Sequence, residues 1–239
     1  RTGRDVVFLV DVSRSMLAAD LAPSRLERAK IWSKDLVATL GNDRVGLVAF
    51  AGTAVVKCPL TVDTSFFRLA LDALGPDSVS RGGTFIGDAI RTTLDEVVED
   101  DDSACDIILF TDGDDHESFP VQAAEAAGER GIRIIALGLG SSSGGIVPGV
   151  TYQDREVVSR LDAATLSEIA SASAGGVYLN VGTGTIDLER VYADLASPAR
   201  KKRLEDGRAV RYREGFQLFL GAAMAMLFLE GFIGDRRRT

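Results

Sequence analysis

Val6 to Val10 is an unbroken run of five apolar residues, and a carboxylate, Asp11, ends it. Such a run reads as a strand buried on both faces, as in a parallel sheet covered by helices on either side. Asp11, Ser13 and Ser15 then form an Asp-x-Ser-x-Ser pattern at its carboxyl end. One carboxylate and two hydroxyls so placed make a set of hard oxygen donors suited to Mg²⁺ or Ca²⁺. Taken alone, the same pattern also fits a strand end followed by a serine helix cap.

Two later segments bear on that choice. In Arg81 to Ile90, Gly82 and Gly83 are expected to let the backbone approach a neighbour closely. They place Thr84 just ahead of a helical pattern on Ile86, Ala89, Ile90 and Leu94. Asp106 to Gly113 is a second apolar strand, ending at Asp112. Loops at one edge of an open parallel sheet face a common crevice, so Asp11, Ser13, Ser15, Thr84 and Asp112 are expected to converge on one ion. This ordered set of three separated segments resembles the metal-ion-dependent adhesion site of von Willebrand factor type A domains.

Along the chain, strand and helix patterns alternate, which predicts an α/β, Rossmann-like, doubly wound and mostly parallel sheet with helices on both faces. Pro23-Ser24 opens a helix with apolar positions at Leu26, Ala29, Ile31, Leu36 and Leu40, stopped by Gly41. Arg44 to Phe50 reads as a strand that pairs with Ala54 to Cys58 at a sheet edge. Helices are expected near Thr64–Leu74, Ile86–Glu99, Val121–Arg130 and Asp162–Ser173, with strands at Ile132–Gly138 and Gly176–Leu179. Gly140 to Gly149 reads as a glycine- and serine-rich loop, and Ile186 to Ala196 as the last helix of the globular part.

The chain of 239 residues can bury a full core. Its net charge of −8 argues against a nucleic-acid-binding surface. Cys58 and Cys105 lie in separate predicted strands without Cys-x-x-Cys spacing, so both read as small core hydrophobes rather than zinc ligands or a redox pair. The chain opens on Arg1, not methionine, and is expected to be a fragment or a processed form.

Arg200 to Arg213 carries seven Lys or Arg in fourteen residues. Phe216 to Gly234 is mostly apolar, with no polar stripe of the kind a surface helix shows, and arginines flank it. The expected organisation is a type A domain over 1–197, a basic juxtamembrane linker over 198–215, a transmembrane helix over 216–234 and a basic tail over 235–239. A buried or partner-bound terminal helix is the alternative, because the uninterrupted apolar run Leu218 to Leu229 is shorter than the roughly 20 residues a bilayer helix needs.

Further residues narrow the resemblance. Ser24-Arg25-Leu26-Glu27-Arg28-Ala29-Lys30 follows the first loop, Asn42 to Gly52 covers the next strand, and Val157-Val158-Ser159-Arg160-Leu161-Asp162 comes late in the domain. With the apolar C-terminal segment, they make the chain similar to the bacterial membrane-anchored type A proteins of the aerotolerance operon, the BatA and BatB group. The resemblance implies a Mg²⁺ site (Ca²⁺ or Mn²⁺ being alternatives) with hydroxyls from Ser13, Ser15 and Thr84 and carboxylates from Asp11 and Asp112. It also implies a protein partner offering an acidic side chain, related type A proteins and a MoxR-type AAA+ ATPase as associates, and the bacterial inner membrane as location. The positive-inside rule applied to the Arg200–Arg213 cluster places the domain in the cytoplasm. The family's common topology places it outside, and the side stays open.

Enzyme readings are set aside. Gly140-Ser141-Ser142-Ser143-Gly144 matches Gly-x-Ser-x-Gly, but a nucleophile elbow enters a helix, which Gly145 to Gly149 does not suggest. An aspartyl-phosphate phosphatase needs a second carboxylate where Ser13 stands. Asp114, Asp115, His116 and Glu117 read either as a rim that shapes partner access, or a weak second cation site, or as a solvated loop. Arg14 reads as a rim charge or a solvated arginine. Two functions follow: a metal-dependent interaction module, or an assembly subunit whose metal braces the loops. Asp11 and Asp112 are expected at the sheet's edge, outside the core, and the last helix is expected to couple the site to the anchor through Leu188, Val191 and Leu195.

Overall fold

The computed structural model describes residues 4–98 and 104–181. The expectations for the final helix, the basic linker, the apolar helix and the tail lie outside the described residues. Among the described residues no helix is long and apolar enough to cross a membrane.

Among the described residues eight strands and five helices follow one another: β1 Asp5–Asp11, α1 Arg25–Thr39, β2 Arg44–Phe50, β3 Ala54–Thr61, α2 Thr64–Asp72, α3 Ile86–Glu96, β4 Cys105–Thr111, α4 Pro120–Glu129, β5 Arg133–Gly138, β6 Gly145–Tyr152, β7 Arg155–Ser159, α5 Ala163–Ala172 and β8 Val177–Asn180. Six strands form one sheet in the order β3-β2-β1-β4-β5-β8. β3 pairs antiparallel with β2 at the edge, and all other pairs are parallel. The chain leaves β1 for β2 on one side and later returns to β4 on the other. The crevice of such a sheet therefore opens at the carboxyl ends of β1 and β4.

Apolar runs make the inner strands because both faces are covered. Val7 and Leu9 of β1, Ile107 and Leu109 of β4, and Ile134 and Ala136 of β5 share one core with α3, α4 and α5. The intervening residues serve the opposite face, where the Phe8 ring lies 4.9 Å from Phe67 of α2 and 6.5 Å from Phe110. Cys58 and Cys105 are buried free thiols, as expected of small core hydrophobes. On α1, Ser24 caps the helix by accepting from the Glu27 amide. Its inner face differs from the apolar pattern, however: Ile31 is exposed, while Arg25 and Ser33 are fully buried.

The stretch expected to be a loop over Gly140 to Gly149 is the largest departure. Its second half is β6, which pairs antiparallel with β7 in a two-stranded sheet of its own. Pro148 and Gly149 conceal the strand, since both weaken a strand pattern. The signal that reveals the hairpin is Gln153-Asp154 between two apolar-rich runs. Both residues take positive φ, 50° and 61°, as a tight two-residue hairpin turn requires.

Backbone contacts tie the crevice loops together. The Gly52 amide donates to the Arg81 carbonyl, and the Phe85 amide donates to the Ala51 carbonyl, at 2.9 Å each. The loop after β2 thus holds the segment that carries Thr84. The glycine that permits this approach is Gly52, where a Cβ would stand 2.1 Å from the Gly82 carbonyl oxygen. Gly82 itself has open space around a Cβ, contrary to the sequence expectation, and Gly83 is needed for its φ of +106°. Accordingly, Gly52→Ala should lose about 2 kcal/mol or more of stability, while Gly82→Ala should stay within about 0.5 kcal/mol of the parent. Urea unfolding of the two variants checks the pair, and equal stabilities would contradict the assignment.

Candidate metal-binding cleft

β1 ends in Asp11, and Ser13 and Ser15 follow, with Arg14–Leu17 wound into a single 3-10 turn. The Ser13 amide donates to Asp11 Oδ1 at 2.8 Å, and the Ser13 and Ser15 hydroxyls are hydrogen-bonded to each other at 2.9 Å. The neighbouring strand β4 ends in Thr111, whose hydroxyl donates to Asp11 Oδ2 at 2.7 Å. Thr84, buried just ahead of α3, accepts the His116 amide at its carbonyl, 2.8 Å away.

These placements bring the five expected residues to one end of the sheet, in two groups. Ser13, Ser15 and Thr84 line a cleft of about 240 Å³. Asp11 and Asp112 do not line it; both are fully buried. The expectation that both carboxylates lie outside the core is therefore corrected. They close the ends of the two central strands, where helices cover the sheet on each side. Burial and the adjacent Asp112 carboxylate push Asp11 up to about 7, against the opposing pull of the Thr111 and Ser13 hydrogen bonds.

The residue that sequence reasoning passed over is Arg25, the largest fully buried side chain of the described residues. Its Nε and Nη2 donate to the two oxygens of Asp20 at 2.8 Å each. Its Nη1 donates to Asp112 Oδ2 at 2.9 Å and to Ser159 Oγ at 2.7 Å, and Nη2 also reaches the Ser159 carbonyl at 3.1 Å. Ser159 Oγ in turn donates to Asp112 Oδ2 at 2.8 Å. One oxygen of Asp112 is thereby committed to the arginine and the serine. Burial alone would raise Asp20, but the hydrogen bonds from Arg25 and Ser141 hold its carboxyl below the usual range. The available signal was Arg25 itself, which sits four residues before Ala29 on the inner stripe of α1, where an apolar residue belongs.

The acidic loop after Asp112 divides in role. Asp115 is structural: its carboxylate accepts from the Ile86 amide and from the Ser118 amide and hydroxyl, so it fixes the start of α3. Asp114 and His116 line the cleft, and burial with the nearby Asp112 raises Asp114. Arg14 is exposed on the same cleft. Strand β6, not a helix, follows Gly144, which removes the nucleophile-elbow geometry. No hydrogen bond among the described residues joins His116 to Ser13 or Ser15.

The donor chemistry can be matched to a cation. Among the described residues no three or more His, Cys, Asp or Glu side chains gather as a metal-ligating group, so an ion here would rest chiefly on hydroxyl oxygens. Hard, small cations such as Mg²⁺ take such oxygens together with waters. Asp11 and Asp112, two neighbouring buried carboxyl groups, lie close behind these hydroxyls, and in their ionised form they favour a cation.

Comparison with known proteins places this geometry. Residues 6–114 match the von Willebrand factor type A domain family. The conserved hypothetical protein BatB of Bacteroides thetaiotaomicron is 33% identical, with a TM-score of 0.76 over 85% of this chain and all of that one. An aerotolerance-related membrane protein of Bacteroides fragilis is 31% identical, with a TM-score of 0.73 over the same shares. A UPF0353 protein of Mycobacterium tuberculosis is 29% identical over 254 residues, spanning 97% of this chain and 70% of that protein. In fold alone the chain is similar, at 21% identity and a TM-score of 0.61 over 81% of this chain and 46% of that one, to proximal thread matrix protein 1 of the mussel byssus, solved with a zinc-occupied MIDAS motif. With its strand order, its Asp-x-Ser-x-Ser turn and these relatives, the chain belongs to the von Willebrand factor type A family, beside the BatB-like proteins.

Proposed function

We propose that this chain is a divalent-metal-dependent protein-interaction module, with Ser13, Ser15 and Thr84 offering hydroxyl oxygens to the ion and Asp11 and Asp112 completing its surroundings. The observation that carries the reading is the gathering of three hydroxyls on one cleft in front of two buried carboxylates. Mg²⁺ is the preferred ion, with Ca²⁺ and Mn²⁺ as alternatives. Bound there, it would supply Lewis-acid attraction for an anionic group. The oxygens the chain would offer it from Ser13, Ser15 and Thr84 are neutral hydroxyls, and Arg14 adds a positive charge to a lining in which Asp114 is the acid, which favours an acidic side chain from a partner. The chain's own residues act by position: Thr111 and the Ser13 amide orient Asp11, and Arg25 and Ser159 orient Asp112.

The wider setting belongs to the same proposal. It comprises a type A domain over 1–197, a basic linker over 198–215, anchoring in the bacterial inner membrane by 216–234, and association with related type A proteins and a MoxR-type AAA+ ATPase. The membrane-protein description of the B. fragilis relative supports anchoring. Under the second reading the metal only braces the loops. The ion would then add to the network in which Arg25 ties together Asp20, Asp112 and Ser159.

Calorimetric titration tests the ion. Ser13→Ala and Thr84→Ala should weaken Mg²⁺ binding at least about tenfold while costing only about 1 kcal/mol of stability each. Asp112→Ala should cost about 3 kcal/mol, because it takes away one partner of a buried guanidinium. Parent-like titration by Ser13→Ala and Thr84→Ala together would remove the metal site. For the interaction, a partner captured from membranes in Mg²⁺ should be lost on adding EDTA and in Thr84→Ala. Capture unchanged in both would leave the bracing role.

A further inference from the structure

The cleft has two unlike sides. Its floor is made of Ser13, Ser15 and Thr84; its other wall is apolar, built by Val147 and Val150 of β6 and Val157 of β7. Val147 is buried, whereas Val150 and Val157 are partly open, so aliphatic surface faces the cleft directly beside the hydroxyls. Val158, exposed, lines the cleft as well, and Ile146 and Tyr152 of the same hairpin are exposed apolar side chains. Apolar surface concentrated on one small element beside a polar site marks a place for recognition.

A two-stranded hairpin is marginally stable by itself, yet this one is fastened at its base, where the start of β6 pairs with the end of β7. Ser159, the last residue of β7, is hydrogen-bonded to Asp112 and to the buried Arg25. Ser141, shortly before β6, donates its amide to Asp20 Oδ2 at 2.9 Å, and Asp20 is the other partner of Arg25. Gly145, at the start of β6, lies so close to Ala18 and Asp20 that a Cβ would stand 3.0 Å from the Ala18 Cβ and 2.8 Å from the Asp20 carboxyl carbon. The wall is therefore held in place relative to the Ser13–Ser15 turn, as a specificity surface needs to be.

We propose that the β6–β7 hairpin is the specificity-determining wall of the cleft, and that the site takes a protein segment in which an acidic residue is flanked by an aliphatic one. This rests on the metal-dependent reading above. The acid pairs with the cation and the exposed Arg14 at the rim, and the aliphatic neighbour is buried against Val150 and Val157. A cleft of about 240 Å³ has room for two adjacent side chains of such a segment.

Two peptides test it, acetyl-Gly-Leu-Asp-Gly-amide and acetyl-Gly-Ser-Asp-Gly-amide, titrated against the chain in saturating Mg²⁺ with amide chemical shifts as readout. The leucine peptide should bind about tenfold more tightly than the serine peptide. In Val150→Thr/Val157→Thr, which keeps side-chain shape, the ratio should fall to about twofold or less while Mg²⁺ affinity, measured separately, is unchanged. Val150→Thr alone, at a half-buried position, serves if the double variant loses its fold. Equal binding of the two peptides, failure of both to bind while Mg²⁺ still titrates, or a preference that survives in the variants would overturn the wall and leave the metal reading standing. Loss of Mg²⁺ titration in the parent would instead overturn the metal reading. A leucine preference persisting in EDTA would then still support the wall.

Discussion

A guanidinium without solvent contact is tolerable only when its charge and its donors are matched, because an unpaired buried charge costs several kcal/mol. Arg25 meets that condition with two carboxylates, Asp20 and Asp112, and with the hydroxyl and carbonyl of Ser159. Each partner comes from a different stretch of chain: the turn after Ser15, the end of β4 and the end of β7. The crevice is assembled around this one side chain. Even Gly140 follows from it, since a Cβ there would stand 2.8 Å from the guanidinium.

The sheet's two ends are built for opposite purposes. At the amino ends, Arg44 forks onto Asp5 with both contacts at 2.7 Å, and Arg133 pairs with both oxygens of Asp106. Bidentate pairs of this kind satisfy charge within the protein. At the carboxyl ends the acids of β1 and β4 are held by hydroxyls, amides and a single arginine, and hydroxyls face outward into a cleft. That surface can still accept an ion and a ligand. In a parallel sheet every strand contributes its carboxyl end to the same side, so the division between a sealed end and a binding end is inherent in the topology.

The cleft's second half comes from a different source. The main sheet supplies its polar floor, while the hairpin β6–β7, outside that sheet, supplies an aliphatic wall. Because Ser159 touches both Asp112 and Arg25, the wall is tied by hydrogen bonds to the end of β4 and to α1. A change in how Asp112 is held would be felt at the end of β7 with no intervening packing. The helices contribute less to recognition: α3 bears Thr84 just before its start and is itself positioned by Asp115 and Ser118.

Much of this was legible in the chain because it is written in local patterns. Apolar runs specified β1, β4 and β5, since strands covered on both faces need nothing but apolar side chains. The cap Ser24 and the residues Asp11, Ser13, Ser15, Thr84 and Asp112 stood out because strand-end loops of a parallel sheet share one edge. Arg25 stood on the inner stripe of α1, but what makes a charge tolerable there was not legible, since apart from Asp20 its partners are 87 and 134 residues away in sequence. Nor was the role of Gly52, which depends on a carbonyl contributed by a separate loop. The hairpin was concealed by Pro148 and Gly149, and its contribution to the cleft required knowing where Ser159 is fastened. The sequence by itself determined which oxygens gather at the sheet's edge, because alternation of strand and helix fixes which ends face together. Only the tertiary structure decided that both carboxylates are buried, that a buried arginine holds one of them, and that an aliphatic wall stands beside the hydroxyls. Those features arise from charges and apolar surfaces whose partners are distant in the chain, and distance in the chain carries no local signal.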